Sequence, residues 1–337
     1  MPLDNLVSMQ NIFWRGASVA ITGITGSLGT ALSKELLKSE YNISRLVGIS
    51  RKWQDQDRLR EELNDDRLRL FVGDVRDIDR LKLALEGVEY VFHAAALKSV
   101  PIAFYNPTEA ISVNITGTIN VLQASRDVGV RRVVVVSSDK AVQPASENLY
   151  GVTKAAAECL AVAYNSYSAG RQTRYCAARW GNVLGSSGSV VPLFMKQREN
   201  GKLTITHDKM TRFWVTMDEV VHFILRVMES MIGGEIFVPH LPSSRVTTLA
   251  SAIAPDAEFE TVGMRPGEKM HEVLLSPEES PRTKDLGWAY RVEPTSRPWG
   301  GVPYAGGSPV PSDWIYSSAS AERLGESELR NMLFKFE

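Results

Sequence analysis

Cysteine is nearly missing: Cys159 and Cys176 are the two thiols in 337 residues. So few cysteines, without metal-ligand spacing, exclude a disulfide scaffold and a zinc framework, and both are expected to be reduced, buried thiols. Net charge is missing too. Lys and Arg total 38 against 39 Asp and Glu, leaving −1, so no global field draws the molecule toward nucleic acid or anionic lipid. Any phosphate must be held by a local site. No apolar run approaches the ~20 residues of a membrane-crossing helix. Residues 1–15 lack the basic start, apolar block and small-residue cleavage site of a secretory leader. The five histidines (His93, His207, His222, His240, His271) are scattered and form no metal pattern. These absences predict a soluble, cytoplasmic protein with no metal, membrane or nucleic-acid partner.

What is present is a balance of 44% hydrophobic and 23% charged residues, enough for a real core. Short apolar runs at 19–21, 46–49, 70–72, 90–92, 133–136 and 175–178 are continuous rather than alternating. Such runs suit parallel strands covered on both faces. Helical stretches such as 28–37 and 116–127 lie between them, and strand–helix repetition predicts a doubly wound, Rossmann-like α/β parallel sheet. Beyond residue 180 the pattern loosens. A loop is expected at 185–188, an amphipathic helix at 218–231, a further strand at 237–238 and a terminal helix at 321–334. The stretch 281–314, rich in proline, glycine, serine and tryptophan, reads as an irregular wrap.

Directly after the first run comes Thr22-Gly23-Ile24-Thr25-Gly26-Ser27-Leu28-Gly29. Its glycines permit a tight turn, a close backbone approach to a pyrophosphate, and helix-on-strand packing. The amides of the helix that follows then face the phosphates. Residues Gly23, Thr25, Gly26, Ser27, Leu28 and Gly29 are therefore candidate dinucleotide ligands. The second run ends in Ser50-Arg51-Lys52, with no acid at its tip. A guanidinium forks onto a 2′-phosphate, which favours NADP over NAD; the other reading is a pair of solvated surface charges. Asp74 and Val75, after the third run, are placed to meet the adenine edge, although Asp74 equally suits a helix cap.

Tyr150 and Lys154 stand at i and i+4, on one helical face. A cation beside a phenol favours phenolate, so Lys154 is expected to lower the Tyr150 pKa toward that of a general base. Ser138 precedes Tyr150 by 12 residues and is a candidate to bond the same substrate hydroxyl. An ordinary surface Tyr–Lys pair is the plain alternative.

The glycine triplet, the serine after a strand and Tyr-x-x-x-Lys together resemble extended short-chain dehydrogenases. Longer motifs are similar to the inverting UDP-N-acetylglucosamine 4,6-dehydratases. They include His93-Ala94-Ala95-Ala96-Leu97-Lys98-Ser99-Val100-Pro101, Tyr105-Asn106-Pro107 and Ser138-Asp139-Lys140-Ala141. Arg179-Trp180-Gly181-Asn182-Val183, Gly188-Ser189-Val190-Val191-Pro192, Met210-Thr211-Arg212-Phe213-Trp214 and Arg265-Pro266-Gly267-Glu268-Lys269 extend the likeness. Ser138 stands where that family usually has threonine, and the hydroxyl survives. Ser99 replaces a larger polar residue, and 281–313 matches poorly.

The resemblance implies residues 1–180 as the NADP-binding part, rejoined by about 213–240, and 181–337 as mainly a smaller, C-terminal nucleotide-sugar-binding domain. It implies Ala94, Ala95, Lys98, Tyr150 and Lys154 at the cofactor. Lys98, Asn182, Val190, Arg212, Arg265 and Glu268 are implied at a UDP-sugar, and the assembly is implied to be a homo-oligomer. It implies that Lys140 removes the C5 proton and Asp139 acts as acid, with Lys154 and the oxidised nicotinamide expected to depress the Lys140 pKa by like charge. Two rivals stay open: a nucleotide-sugar 4-epimerase, which needs Tyr150 and Lys154 but not the Asp139–Lys140 pair, and a catalytically silent NADP-binding protein.

Overall fold

Each of the six apolar runs becomes a strand: β1 (Ser18–Thr22), β2 (Arg45–Ser50), β3 (Leu68–Val72), β4 (Tyr90–His93), β5 (Arg132–Val136) and β6 (Arg174–Ala178). The computed structural model describes residues 12–168, 172–186 and 188–333. Most of the leader region read at 1–15, as well as Ser187 and Phe334, lie outside the described residues. After β7 (Asn182–Val183), β8 (Lys202–Ile205) and β9 (Thr211–Val215), strand β10 (Ile236–Pro239) returns to pair with β6.

From β3 to β10 the strands run 3-2-1-4-5-6-10, all parallel. The doubly wound Rossmann-like sheet is borne out. Local chemistry sets the connecting helices. Asp77 caps helix Ile78–Leu85 by accepting from the Arg80 amide, and Asn148 caps helix Leu149–Ala163 through the Gly151 amide. Helix Met217–Ser230 opens with a Thr216/Glu219 capping box.

Strand order reverses beside β1, where β2 lies on one side and β4 on the other. Such a switch leaves a crevice at the carboxyl ends of the strands. His93 fastens it. Thr118 donates its hydroxyl proton to the Asn114 carbonyl (2.7 Å), so it accepts from His93 Nε2 (3.0 Å). Nδ1 is then left to accept from Thr22 Oγ1 at 2.7 Å. The imidazole is neutral and wholly buried between two hydroxyls.

A second apolar core, including Leu184, Phe194, Leu203, Trp214, Leu249 and Leu333, lies apart from the sheet's core. Around it sit β7 and β9 with β11 (Ser243–Arg245), and β8 with β12 (Glu258–Thr261). Strand β13 (Val273–Leu275) pairs with β17 (Tyr316–Ser317).

Two expectations need correction. The supposed irregular wrap supplies β14 (Thr283–Asp285), β15 (Ala289–Val292) and β16 (Ser308–Pro309), which extend the main sheet antiparallel to ten strands. Strands of two to four residues around a Gly287 turn (φ 79°) are too short to show a periodicity. Cys176 is buried in β6, but Cys159 is exposed on helix Leu149–Ala163, among neighbours of which Ala157, Glu158 and Ala161 are buried. The terminal helix begins later than expected, at Glu326. Among the described residues no helix is long and apolar enough to cross a membrane.

Burial, with Lys154 adding a like charge, pushes His93 down to about 3 from its ordinary 6.5. The unfolded chain therefore takes up a proton near pH 6.5 that the folded protein refuses until about pH 3. Stability must fall as pH drops through that window. Urea midpoints measured at several pH values should show this loss, and His93→Asn should flatten the slope between pH ~6 and ~4; parallel slopes would contradict it.

Candidate active site

A cleft of about 1110 Å³ follows the carboxyl ends of β1 to β5 and opens toward the second core. At its β1 end the backbone leaves no room for side chains. Gly23 holds φ +73°, and a Cβ there would stand 2.9 Å from Ala95 Cα. A Cβ on Gly29 would lie 2.5 Å from the Gly23 and Ile24 carbonyl oxygens. Gly26 leads helix Ser27–Leu36 with no side-chain cap and no acid in the first turn. Uncapped amides over a glycine cradle fit a pyrophosphate. Thr25, Ser27, Leu28, Ala94 and Ala95 line the same end.

At the β2 tip, Ser50, Arg51 and Lys52 line the cleft rim. The Ser50 hydroxyl accepts from Gln56 at 3.0 Å, and the Arg51 guanidinium projects outward, 3.9 Å from Glu109. Sequence reading placed no acid here, yet Asp55, in the first turn of helix Trp53–Leu63, reaches the same rim. Asp74 and Val75 are adjacent. Asp74 is no helix cap, for it accepts from the Arg76 amide (2.9 Å) and guanidinium (2.6 Å), which hold its carboxyl below the usual range.

The β5 exit carries a cluster of titratable side chains. Ser137 leads into a tight turn over Asp139–Ala141. Ser138 Oγ donates to Asp139 Oδ1 at 2.7 Å and accepts from the Lys140 amide at 3.3 Å. Lys140 Nζ donates to the same Oδ1 at 3.1 Å and lies 3.7 Å from Glu272 Oε1. Asp139 is fully buried behind Lys140, and its Oδ2 has no hydrogen-bond partner. It alone among the anticipated site residues does not line the cleft.

Tyr150 and Lys154 sit buried on helix Leu149–Ala163. The Lys154 ammonium is turned to the Val136 carbonyl at the end of β5. Burial pushes it down to about 8, against Glu158. Burial raises the Tyr150 phenol, and Asp139 adds to this, while the Lys140 charge and the Ser138 hydroxyl pull it back. So the cation acting on the phenol is Lys140, not Lys154 as expected. A second expectation also reverses. Burial alone lowers Lys140, but Asp139 and Glu272 outweigh it and hold the amine above an ordinary lysine, with Arg212 opposing.

Across the cleft, Asn182 opens β7 with its buried amide oxygen unpartnered. Val190 begins helix Val190–Arg198, and Arg212 extends from β9 to within 3.8 Å of Glu272. Lys98 and the exposed Arg265 stand at the rim. Glu268 also lines the cleft, but one carboxylate oxygen accepts from the Arg265 amide at 3.0 Å.

Sequence reading missed Glu272 and left Arg179 without a role. Arg179 is buried and forks onto Glu158 (2.8 and 2.6 Å) and Glu279 (3.0 and 2.8 Å). It also donates to the Leu274 carbonyl at 2.7 Å. The guanidinium thereby bolts the Tyr150–Lys154 helix to β13, the strand that Glu272 immediately precedes. The available signal was an arginine ending an apolar strand, a charge that needs buried partners.

Fold and cleft define a Rossmann-type scaffold with a glycine cradle at the switch point and a buried cluster of acid, amine and phenol at the β5 exit. Residues 19–294 match the family described as polysaccharide biosynthesis protein, and the chain belongs to that family. It is 43% identical over 284 residues, 84% of each chain, to a UDP-N-acetylglucosamine 4,6-dehydratase (inverting) of Campylobacter jejuni. It is also 38% identical over 329 residues, 95% of this chain and 96% of the relative, to a UDP-glucose 4-epimerase of Rickettsia felis. Among solved structures, that of Pen from Bacillus thuringiensis superposes with a TM-score of 0.88 at 33% identity, covering 96% of this chain and 98% of that one. The resemblance to inverting 4,6-dehydratases is borne out along most of the sequence.

Removing one partner from a buried ionic network leaves charges uncompensated and costs ~3–5 kcal/mol. Arg179→Ala should lower unfolding free energy by about that amount in urea titration; a loss below ~1 kcal/mol would show the network to be dispensable.

Proposed function

We propose that the protein is an NADP-dependent, C5-inverting UDP-N-acetylglucosamine 4,6-dehydratase that forms a UDP-4-keto-6-deoxyhexosamine. The observation that carries this reading is the buried Asp139–Lys140 pair beside Tyr150, at the end of a cleft whose other end is a glycine cradle. The 43% identity to the Campylobacter dehydratase supports it.

Gly23, Gly26, Gly29, Tyr150 and Lys154 would hold the nicotinamide cofactor, with Arg51 and Lys52 toward a 2′-phosphate. When bound, it accepts hydride from C4 and returns it at C6. The remaining work belongs to side chains. Tyr150, as phenolate, takes the C4 hydroxyl proton, and the Lys140 ammonium stabilises that phenolate. Once Tyr150 is protonated, that support is no longer needed. The Lys140 proton can then pass along the 3.1 Å hydrogen bond to Asp139 Oδ1. A neutral amine and a carboxylic acid result, which are the base and the acid an elimination needs. The C4 ketone acidifies C5–H, and Lys140 removes that proton. Asp139, which does not itself line the cleft, passes its proton to the Ser138 oxygen, and Ser138, which does, gives its own hydroxyl proton to the C6 hydroxyl, which leaves as water. Asn182, Val190, Arg212, Arg265, Glu268 and Lys98 would hold the UDP-sugar, the arginines suiting its diphosphate.

The epimerase relative favours a second reading, 4-epimerisation by Tyr150 without elimination. Incubation with UDP-N-acetylglucosamine and NADP in heavy water separates the two. A product one water lighter, with deuterium at C5, supports dehydration; an unchanged mass with a new C4 isomer supports epimerisation. Lys140→Ala should lower C5 exchange ~10²–10⁴-fold while leaving cofactor affinity unchanged. A variant that still exchanges at C5 removes Lys140 from the base role.

A further inference from the structure

Glu272 is a buried carboxylate facing the cleft wall with one oxygen unused. Oε1 lies 3.7 Å from Lys140 Nζ and 3.8 Å from Arg212 Nε, and Oε2 has no hydrogen-bond partner. Its backbone is pinned from both sides. The Glu272 amide donates to Ser318 Oγ at 2.9 Å, and its carbonyl accepts from the Ser318 amide at 2.8 Å. Two residues on, Leu274 is held by Arg179, which also holds the helix bearing Tyr150. Glu272 is thus fixed in place without help from its own carboxylate. That carboxylate is free to act on the cluster.

We propose that Glu272 is the positioning residue for Lys140, a second carboxylate on a separate element that orients the amine across the sugar half of the cleft. This deepens the dehydratase reading and rests on it. Held by Asp139 alone, Lys140 would be tethered through its sequence neighbour; with Glu272 it spans from the β5 turn to the β13 segment. The charged and titratable groups around this pair are Asp139 and Tyr150 on the β5 and helix side, Arg212 on β9, and Lys269 on the loop before β13. Two carboxylates, Asp139 and Glu272, therefore face the Lys140 ammonium, and Glu272 is the one whose removal spares the pair that performs proton transfer. With Glu272 neutral, Lys140 loses its proton at lower pH, since an opposite charge at this range shifts a pKa by ~1 unit or more.

The test uses the isosteric Glu272→Gln, and Glu272→Asp as the conservative variant. Lysine reactivity toward acetic anhydride, read by mass spectrometry as a function of pH, gives the Lys140 titration in the cofactor-loaded enzyme without turnover. The Gln variant should titrate at least ~1 pH unit lower than wild type, with Asp near wild type. The pH profile of C5 deuterium exchange should move its acidic limb down by the same amount. Coincident Lys140 titrations in wild type and Gln variant would overturn the proposal. So would a C5-exchange loss uniform at every pH. If wild type shows no C5 exchange, the dehydratase reading fails, and the role given to Lys140 fails with it. The acetylation titration then still reports whether Glu272 and Lys140 are coupled.

Discussion

The ion pair between Lys140 and Asp139 is the constraint around which the site is arranged. Burial by itself would strip the lysine of its charge, and the adjoining carboxylates restore it. In the proposed mechanism an ammonium kept among these carboxylates has two uses. It pulls a buried phenol toward ionisation, and it stores a proton one short hop from a carboxylate. The Ser138 hydroxyl shares the same Asp139 oxygen, so hydroxyl, acid and amine form one connected group beside the phenol.

That group needs a rigid setting, and the fold provides it from several directions. The β5 turn carries Ser138, Asp139 and Lys140, and the Asp139 amide is anchored to the Trp180 carbonyl at 2.9 Å. Helix Leu149–Ala163 carries Tyr150 and Lys154 and is locked by Arg179 to the segment that carries Glu272. The sheet supplies the switch-point crevice, and the second core sets Asn182 and Arg212 across it. No single element holds the site.

Much of this was legible in the sequence because it is local. Continuous apolar runs marked β1 to β6, and the glycine triplet marked the cradle between β1 and its helix. Strands β14 to β16 were illegible because they are short and gain their place by pairing at a sheet edge, a tertiary effect. The partner of Tyr150 was misassigned for a related reason. Sequence spacing makes Lys154 the neighbour, while the fold turns its ammonium to the Val136 carbonyl and brings Lys140 to the phenol. Glu272 was missed because it lies more than 130 positions from Lys140 and meets it only in the folded chain, where β13 packs beside the β5 turn. Cys159 departed from expectation because helical position, not residue type, decided its exposure.

The most direct measurement is a crystal structure with NADP and UDP-N-acetylglucosamine bound together. The account predicts the C4 oxygen within hydrogen-bond reach of the Tyr150 phenol and C5 at ~3–3.5 Å from Lys140 Nζ. A hexose seated with Lys140 and Tyr150 facing different regions of the cleft, neither touching the ring, would contradict it.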